Sequence, residues 1–299
     1  MTSMVDVEVL GPASWNTLIH LDELPEPRSQ TVFARTTFET LGGTSAGKAL
    51  HLAELGRSSH LTTLVGSDAA GRSVADALSR AGIDHDAITV AGASERHANL
   101  LTERGERVSI YLSVPDSDLD PEVVASRLVA RVRDARAVVV DLAGWTRELV
   151  TLTGARRDLV WTDLHDYDGQ ALFHRPFIES ASHVFMNADG LDAPGDFMHE
   201  LVDGGASVVV CTLGAEGARA VDAEHREWRA PAAPVERIVD TNGAGDAFLA
   251  GFLDATLAGA DVGTSLSAGA GQAAHALTSW HLSPLLDDVC DDPVAERTP

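Results

Sequence analysis

Residues 240–253, DTNGAGDAFLAGFL, place a carboxylate directly behind a short run of small residues. Gly243, Ala244 and Gly245 precede Asp246, and an apolar helical pattern follows. A glycine-rich turn that opens a helix presents several backbone N–H groups at the positive end of the helix dipole, which favours a bound anion. An aspartate beside such a turn can take a proton from a hydroxyl while the amides stabilise a phosphoryl group under attack. The alternative is that Asp246 caps the helix and the glycines serve helix–sheet packing.

A second glycine-rich run, LGGTSAGKALHLAELG at residues 41–56, nearly matches a phosphate-binding loop. Gly42, Gly47 and Lys48 fit the G-x-x-x-x-G-K spacing. That loop also needs a Ser or Thr hydroxyl for magnesium in the next position, which is Ala49, and the preceding RTTFET is not a buried apolar strand. The run therefore does not indicate a phosphate-binding loop, and its glycines are expected to allow close backbone approach instead.

The rest of the chain alternates short β-branched runs with alanine- and leucine-rich segments of helical period, which is typical of an α/β fold with a parallel sheet. We predict strands at residues 5–10, 60–65, 137–141, 159–163, 183–186 and 207–212, and helices at 44–55, 69–81, 245–257 and 263–279. Several of the strands end at polar residues, where parallel strands carry their functional loops.

Two segments break this alternation. Residues 18–38 are rich in proline and charge and end in an alternating stretch. Residues 97–112 form two alternating runs around a Glu-Arg-Gly-Glu turn, which predicts a hairpin. We expect both segments to form a small sheet that stands off the main one. The alternative is a surface hairpin without a role.

An acidic cluster, WTDLHDYDG, follows the strand predicted at 159–163. The carboxyl ends of parallel strands face the ligand cleft in a doubly wound sheet. Asp163 is therefore a candidate to hydrogen-bond a polyol, or to bind a divalent cation together with the carboxylates that follow it. The alternative is an Asp-rich turn closed by Asp168 and Gly169.

The charge balance excludes some partners. The chain has 299 residues and a formal net charge of −23, and such a field repels nucleic acid and anionic membranes. No run approaches the roughly 20 apolar residues of a spanning helix, and the amino terminus lacks the pattern of a signal peptide. Cys211 and Cys290 alone make no disulfide framework or metal knuckle. We therefore expect a cytoplasmic protein.

The stretch DTNGAGDAF resembles the carboxyl-terminal signature of the PfkB, or ribokinase-like, family of carbohydrate and nucleoside kinases, usually D-T-x-G-A-G-D. The resemblance implies a three-layer α/β/α domain with a mostly parallel sheet and a small β-sheet lid. It also implies that Asp246 is the catalytic base and that residues 243–245 form the anion hole over the transferring phosphate. Asp240 and Thr241 would lie beside the phosphate tail, with Asp240 assisting cation binding.

The resemblance also implies a nucleotide site further along the chain. CTLGAEG resembles the family's T-x-G-x-x-G turn beside the nucleotide phosphates, carried here by Thr212, Gly214 and Gly217. Asn187 stands where the family begins an N-x-x-E motif that organises magnesium through water. The glutamate of that motif is missing, and Asp189 lies one residue early.

The implied cofactors are ATP and Mg²⁺, and a monovalent cation is a further candidate. The last helix lies where the family builds its nucleobase slot, and the asparagine that many members carry near Ala270 is absent. Gln272 or His275 is then the side chain expected to contact the base.

On the acceptor side, the resemblance places Gly42 and Gly43 against the acceptor hydroxyls. Gly47 stands where the family usually has an acceptor-binding asparagine, and Asn16 stands about where it has an aspartate that grips sugar hydroxyls. Lys48 is the only lysine of the chain. It either points at a negatively charged acceptor or is a solvated residue on the helix surface.

Two segments fall where the family builds its lid. The resemblance therefore divides the chain into a kinase domain of residues 1–17, 39–96 and 115–299 and a lid of residues 18–38 and 97–114. Dimerisation through the lid sheet is common in the family, which implies a homodimer.

The sequence thus predicts ATP- and magnesium-dependent transfer of the γ-phosphoryl group to a hydroxyl of a small sugar-type polyol. An adenosine-like nucleoside is the alternative acceptor, and a non-sugar alcohol such as a vitamin precursor is another, because this fold hosts several substrates. A catalytically weak nucleotide- or sugar-binding protein is the alternative from another class, because the acceptor contacts are altered and the glutamate is missing.

Overall fold

The computed structural model describes residues 5–291 apart from 103, 116–120, 148, 150–155 and 166. Its strands are, in chain order, β1 Val7–Leu10, β2 Ser14–Leu21, β3 Thr36–Gly42, β4 Ser59–Gly66, β5 His85–Val90, β6 Arg96–Thr102, β7 Arg107–Ser113, β8 Ala137–Val140, β9 Val160–Asp163, β10 His183–Asn187, β11 Val208–Thr212, β12 Ala218–Asp222 and β13 Glu227–Ala230. Its helices are α1 Thr44–Glu54, α2 Ala69–Arg80, α3 Pro121–Asp134, α4 Arg175–Ser180, α5 Pro194–Asp203, α6 Ala244–Leu257 and α7 Val262–Ala276.

The large sheet has nine strands in the order β13-β12-β11-β10-β9-β8-β1-β4-β5. The pairings from β11 through β5 are parallel, and β12 and β13 extend the sheet in antiparallel fashion. One apolar core lies between the sheet and α1, α2, α6 and α7, and a second lies between the opposite face and α3, α4 and α5. The chain therefore has the predicted three-layer α/β/α architecture, and each predicted strand and helix is present with small differences at its ends.

The central strands are apolar throughout because both of their faces are covered. On β8, Val139 packs into the first core, whereas Val138 and Val140 pack into the second. Parallel sheets with helices on both faces produce such continuous apolar runs. Asp141 follows β8, and Asp163 is the last residue of β9. Both polar residues therefore lie at the edge of the sheet where the parallel strands end.

Helix α1 is enclosed on every side. All eight residues from 45 to 52 are buried, because the helix lies between the sheet, α6 and the small sheet. A helix with one solvent face would bury only a stripe. The small residues of TSAGKA make this enclosure possible, and any polar group on this stretch must find its partner inside the protein.

The small sheet has the order β3-β2-β6-β7. β2 and β6 run parallel, and β6 and β7 form the predicted antiparallel hairpin. Its strands lie within residues 14–42 and 96–113, so the first segment is wider than the predicted 18–38. Leu18, Phe38 and Leu101 form a separate apolar cluster that packs against Trp280, which follows α7.

Within the described part of the chain, none of the helices combines the length and apolar character of a membrane span.

Candidate active site

The carboxylate that the sequence singled out lies at the amino terminus of α6. Gly243 precedes the helix in a left-handed conformation (φ +80°), and a Cβ there would lie 3.0 Å from the carbonyl oxygen of Leu282. Asp246 occupies the first turn and is buried. The first N–H groups of a helix have no acceptor within that helix. The turn of Gly243, Ala244 and Gly245 therefore gathers amide donors beside a carboxylate.

Lys48 reaches this carboxylate from α1. Its Nζ donates a hydrogen bond to Asp246 Oδ1 over 2.7 Å, lies 2.9 Å from Asp141 Oδ1 and lies 3.6 Å from Asp163 Oδ2. None of the Lys48 side chain is exposed. The expectation of a solvated lysine on the helix surface is therefore wrong, because the helix that carries it is enclosed. The ammonium meets three carboxylates of the protein itself.

The carboxylates around Lys48 are held by further contacts. Ser45 Oγ donates to Asp141 Oδ2 over 2.6 Å. The backbone N–H of His165 donates to Asp163 Oδ1 over 3.0 Å, and the His165 ring lies 3.5 Å from Asp163 Oδ2. Asp141 was missed at the sequence level. The available signal was a carboxylate at the end of the buried run AVVVD, which is the same signal that pointed to Asp163.

The ionisation of this cluster follows from burial and from the lysine. Burial raises the pKa of Asp246, and the Lys48 ammonium offsets this only in part. Burial also raises the pKa of Asp163, but His165 and Lys48 outweigh it and hold the pKa below its ordinary value. Burial alone would lower the pKa of Lys48, yet Asp141, Asp246 and Asp163 together raise it well above its ordinary range. Lys48 is therefore a permanent cation beside a carboxylate of increased basicity.

Gly47 lies directly against the Asp246 carboxyl group. A Cβ at this position would lie 2.9 Å from Asp246 Oδ2 and 3.0 Å from Asp246 Cβ. A side chain at position 47 would therefore displace the carboxylate. Gly47, which stands where the resemblance led us to expect an asparagine, therefore leaves room for the Asp246 carboxylate in its observed position.

Replacing Gly47 by alanine is expected to lower kcat/KM about tenfold to a hundredfold, because a carboxylate displaced by about an ångström no longer meets the reacting hydroxyl. Steady-state ADP release measures the change, and nucleotide binding should be unaffected. Gly144→Ala is the matched control, because a Cβ at Gly144 meets open space. Normal turnover in Gly47→Ala would show that Asp246 tolerates a shifted position.

The glycine pair 42–43 packs against the start of β2. A Cβ at Gly42 would lie 2.0 Å from Asn16 Nδ2 and 2.8 Å from Ser14 Oγ, and one at Gly43 (φ +95°) would lie 2.5 Å from the carbonyl oxygen of Pro12. Asn16 Oδ1 accepts a hydrogen bond from the backbone N–H of His97 over 3.2 Å. The glycines thus bring α1 and the two inner strands of the small sheet together beside the Asp246 carboxylate.

Two polar side chains of the small sheet were missed at the sequence level. Ser14 Oγ and Asn99 Oδ1 are buried and have no hydrogen-bond partner within the described residues. Buried polar atoms are almost always hydrogen-bonded in folded proteins, so a polyol hydroxyl or a water molecule is the natural partner for each. The alternation of β2 and β6 could have indicated them, because both positions share the inward face with Asn16.

Asp240 lies close to the small sheet. Its Oδ1 accepts the N–H of Asn242 over 2.6 Å, and its Oδ2 lies 3.5 Å from His20 Nε2. Burial raises the pKa of Asp240, which His20 and the neighbouring amides offset only in part. In the turn between β6 and β7, a Cβ at Gly105 would lie 3.9 Å from Thr241 Cγ2. The hairpin turn of the small sheet therefore lies over the start of the signature loop.

The residues predicted to bind nucleotide phosphates lie at the ends of β10 and β11. Asn187 and Thr212 face each other across these two strands. Asn187 Oδ1 accepts the N–H of Asp189 over 3.0 Å, and the Asp189 side chain is exposed. Gly214 and Gly217 both have a positive φ, and a Cβ at Gly217 would lie 2.1 Å from the Ala230 carbonyl oxygen. The turn therefore requires its glycines.

A cleft of about 530 Å³ lies between α7 and the segment that leads into Asp240. Residues 234–237, Val239, Gly271, Ala274, His275 and Thr278 line it. Its volume is in the range of a small-molecule site. Of the two expected base contacts, His275 lines this cleft. Gln272 faces α1 instead, where its Nε2 lies 2.9 Å from Glu54 Oε2 and 3.0 Å from His51 Nδ1.

The oxygen donors near the residues predicted to bind phosphates would fit Mg²⁺ held mainly through phosphates and water. Among the described residues, no three His, Cys, Asp or Glu side chains are arranged to hold a metal ion together. Magnesium keeps several waters and is usually held by one or two carboxylates plus substrate phosphates. The exposed carboxylate of Asp189 suits that mode, whereas Asp240 is already engaged by His20 and Asn242.

These parts together define a small-molecule kinase that acts on an alcohol. These parts are a helix amino terminus lined with amide donors, the buried Asp246 carboxylate in its first turn, and a small sheet whose hairpin turn lies close to Thr241. The sequence model of the pfkB family carbohydrate kinases matches residues 4–284, and the chain belongs to this family. The resemblance read from the signature residues is thereby confirmed.

The similar proteins act on sugars and nucleosides. The acarbose 7(IV)-phosphotransferase of Actinoplanes sp. is 32% identical over 93% of this chain and 94% of its own. The nucleoside kinase of Methanothermobacter thermautotrophicus is 31% identical over 87% of this chain and 85% of its own. The solved structure of a microbiome-derived acarbose kinase superimposes with a TM-score of 0.81 at 31% identity, covering 93% of this chain and 94% of that one.

Proposed function

We propose that this protein transfers the γ-phosphoryl group of ATP to a hydroxyl of an uncharged, sugar-type acceptor. The observation that carries the proposal is the buried Asp246 carboxylate beside the amide donors of residues 243–245, with Lys48 on Oδ1. The acceptor hydroxyl gives its proton to Asp246 while its oxygen attacks the γ-phosphorus. The bond from that phosphorus to the bridging oxygen breaks, and ADP leaves.

The charges around the base argue for an uncharged acceptor. Asp141, Asp163 and Asp246 surround one ammonium group, so the cluster has an excess of negative charge. A phosphorylated or acidic sugar would be repelled there, and Lys48 is not free to receive it. Ser14, Asn16 and Asn99 on the inward face of the small sheet instead provide hydrogen-bonding groups that suit neutral hydroxyls.

The first candidate acceptor is an acarbose-type oligosaccharide, because two relatives of more than 30% identity bear that name. A nucleoside is the second candidate, because a nucleoside kinase is 31% identical. In both cases ATP would occupy the cleft beside α7, with His275 at the base and with Thr212, Gly214 and Gly217 near the phosphates. Asn187 and Asp189 would hold Mg²⁺ through water, and the ion would neutralise phosphate charge.

The small sheet is proposed to act as a lid. The approach of its hairpin turn to Thr241 and the packing of its apolar cluster on Trp280 support closure over the phosphoryl group. Such closure excludes water that would otherwise hydrolyse ATP. A monovalent cation near Asp240 remains part of the proposal, as does a cytoplasmic location.

A screen of acceptors tests the proposed function. Thermal shift and ADP release would be measured with Mg-ATP and acarbose, maltooligosaccharides, pentoses, hexoses, phosphorylated sugars and nucleosides, with Asp246→Asn in parallel. We expect Asp246-dependent ADP release with one neutral oligosaccharide or nucleoside. Stabilisation by ATP without turnover of any acceptor would support the binding protein instead.

The exposed strand β7 supports a homodimer through the lid. Val108, Ile110, Tyr111 and Leu112 are all exposed on this edge strand. The outer edge of such a strand can pair with another chain, and large exposed apolar patches mark interaction sites. We expect the protein to sediment as a dimer and Ile110→Lys to sediment as a monomer, with Val129→Lys, an exposed valine on α3, as the matched control. A monomeric wild-type protein at micromolar concentration would contradict the dimer.

A further inference from the structure

The buried lysine of α1 is the feature that the proposed mechanism does not by itself require. Lys48 is completely enclosed, and the carboxylates around it come from three different elements: the end of β8, the end of β9 and the first turn of α6. Removing charged groups from water is costly, and apolar residues of similar volume usually serve stability at least as well. A cluster of one ammonium and three carboxylates is also unbalanced, which argues against a purely structural role.

The contacts fix the orientation of the catalytic carboxyl group. Lys48 Nζ holds Asp246 Oδ1 at 2.7 Å, while Oδ2 lies on the side of Gly47, where no side chain stands. Oδ1 of Asp246 is therefore bound to Lys48, and Oδ2 faces a position that no protein side chain occupies. Ser45 anchors Asp141 through its Oδ2, which leaves Asp141 Oδ1 to face the ammonium and holds Lys48 from the opposite side.

We propose that Lys48 is the positioning residue of the catalytic base: it binds Asp246 Oδ1, leaves Oδ2 for the acceptor hydroxyl and keeps the carboxylate ionised against the charge of Asp141. This assignment rests on the proposed function of Asp246. It differs from the role of an acceptor contact, because the ammonium acts on the base and not on the substrate.

The direction in which each neighbouring group moves the pKa of Asp246 follows from the charge of that group. Burial favours the neutral form of Asp246, and the negative charge of Asp141 acts in the same direction. Lys48 opposes both, and His165, whose ring lies beside Asp163, acts in the same direction as Lys48. Removing Lys48 should therefore make the base harder to ionise, and removing the charge of Asp141 should make it easier. A nearby charge typically moves a carboxyl pKa by about 1–3 units.

The test is the pH dependence of kcat/KM for the wild-type protein, Lys48→Gln and Asp141→Asn. In Lys48→Gln, the acid limb of the profile should move to higher pH by about one unit or more. On the acid side of that limb, its kcat at a fixed pH should fall by about tenfold for each unit of the shift, and it should recover as the pH is raised. In Asp141→Asn, the limb should move to lower pH. The acceptor KM should change little in both variants.

A measurement that does not depend on turnover separates this inference from the proposed function. The carboxyl ¹³C resonance of Asp246, assigned by its loss in Asp246→Asn, can be titrated in aspartate-labelled protein with and without an acceptor. The pKa of Asp246 obtained from this titration should rise in Lys48→Gln and fall in Asp141→Asn. The Asp141→Asn result suffices if Lys48→Gln does not fold. An unchanged titration in Asp141→Asn, or a Lys48→Gln variant in which only the acceptor KM rises, would overturn the proposal.

Discussion

Replacing Asp246 by asparagine is expected to reduce turnover by about a thousandfold or more, which is the range seen when a general base is removed. Asparagine has nearly the same shape, and its amide oxygen can still accept the hydrogen bond from Lys48. It cannot take up the proton of the acceptor hydroxyl. Because the cleft beside α7 that we propose for the nucleotide and the amides of residues 243–245 are unchanged, the affinity for ATP should remain within about threefold of the wild-type value.

The comparison needs a control on the same helix. Asp254 also lies on α6, but it pairs with Arg57 at the far end of the helix. Asp254→Asn therefore removes one carboxylate from α6 without touching the site, and its turnover should be normal. Single-turnover kinetics would separate the chemical step from product release. Near-normal chemistry in Asp246→Asn would remove Asp246 from the mechanism and leave its burial unexplained.

The main architecture and the position of the Asp246 carboxylate at the start of a helix could be predicted from the sequence because their signals are local. A strand such as β8 is a continuous apolar run in the sequence. A helix such as α7 is a segment whose apolar residues recur with helical period up to a recognisable end. The turn before Asp246 favours a glycine at position 243, because its left-handed backbone and its contact with Leu282 would strain any side chain. Each of these features is contained within a few neighbouring residues, so each is visible in the sequence.

The partners of Lys48 could not be predicted, because they depend on the order of strands in the sheet. Asp141 and Asp163 are adjacent only because β8 lies beside β9, and both reach α1 only because β1 follows β8 in the sheet. The orientation of Gln272 toward α1 depends in the same way on how α7 packs. The wider bounds of the small sheet arose because β2 begins at Ser14, inside a stretch whose alternation is too short to identify by itself.

The sequence did contain a signal for the burial of Lys48. The lysine lies in TSAGKAL, where small residues on all sides of the helix allow close packing, and no other charged residue lies between Glu39 and Glu54. A helix segment of this composition is typical of an enclosed position. A lone charge within it is then expected to have a partner inside the protein.

Removing the charge of Lys48 while keeping its volume is expected to destabilise the fold strongly. In Lys48→Met, the three buried carboxylates lose their shared cation, and the free energy of unfolding near neutral pH should fall by about 3–5 kcal/mol. Arg57→Met provides the comparison, because Arg57 pairs with Asp254 and Asp6 in a partly exposed position and its loss should cost less. Urea unfolding of the three proteins measures the difference.

The destabilisation should depend on pH with a definite sign. In the wild-type protein the pKa of Asp163 is lowered, so its stabilising contribution is present above the pKa of the unfolded chain and is lost as the pH falls through the folded value. The pKa of Asp246 is raised, so its ionised form is a cost that disappears on acidification. Without Lys48 both carboxyl groups protonate more readily in the folded state. The stability deficit of Lys48→Met should therefore be largest near neutrality and should shrink toward about pH 5, closer to the ordinary range of carboxyl groups.

Adding Asp141→Asn to Lys48→Met should recover part of the lost stability, because one uncompensated charge is removed. A deficit that is independent of pH, or a double variant no more stable than Lys48→Met, would mean that Lys48 acts through its volume and not through its charge.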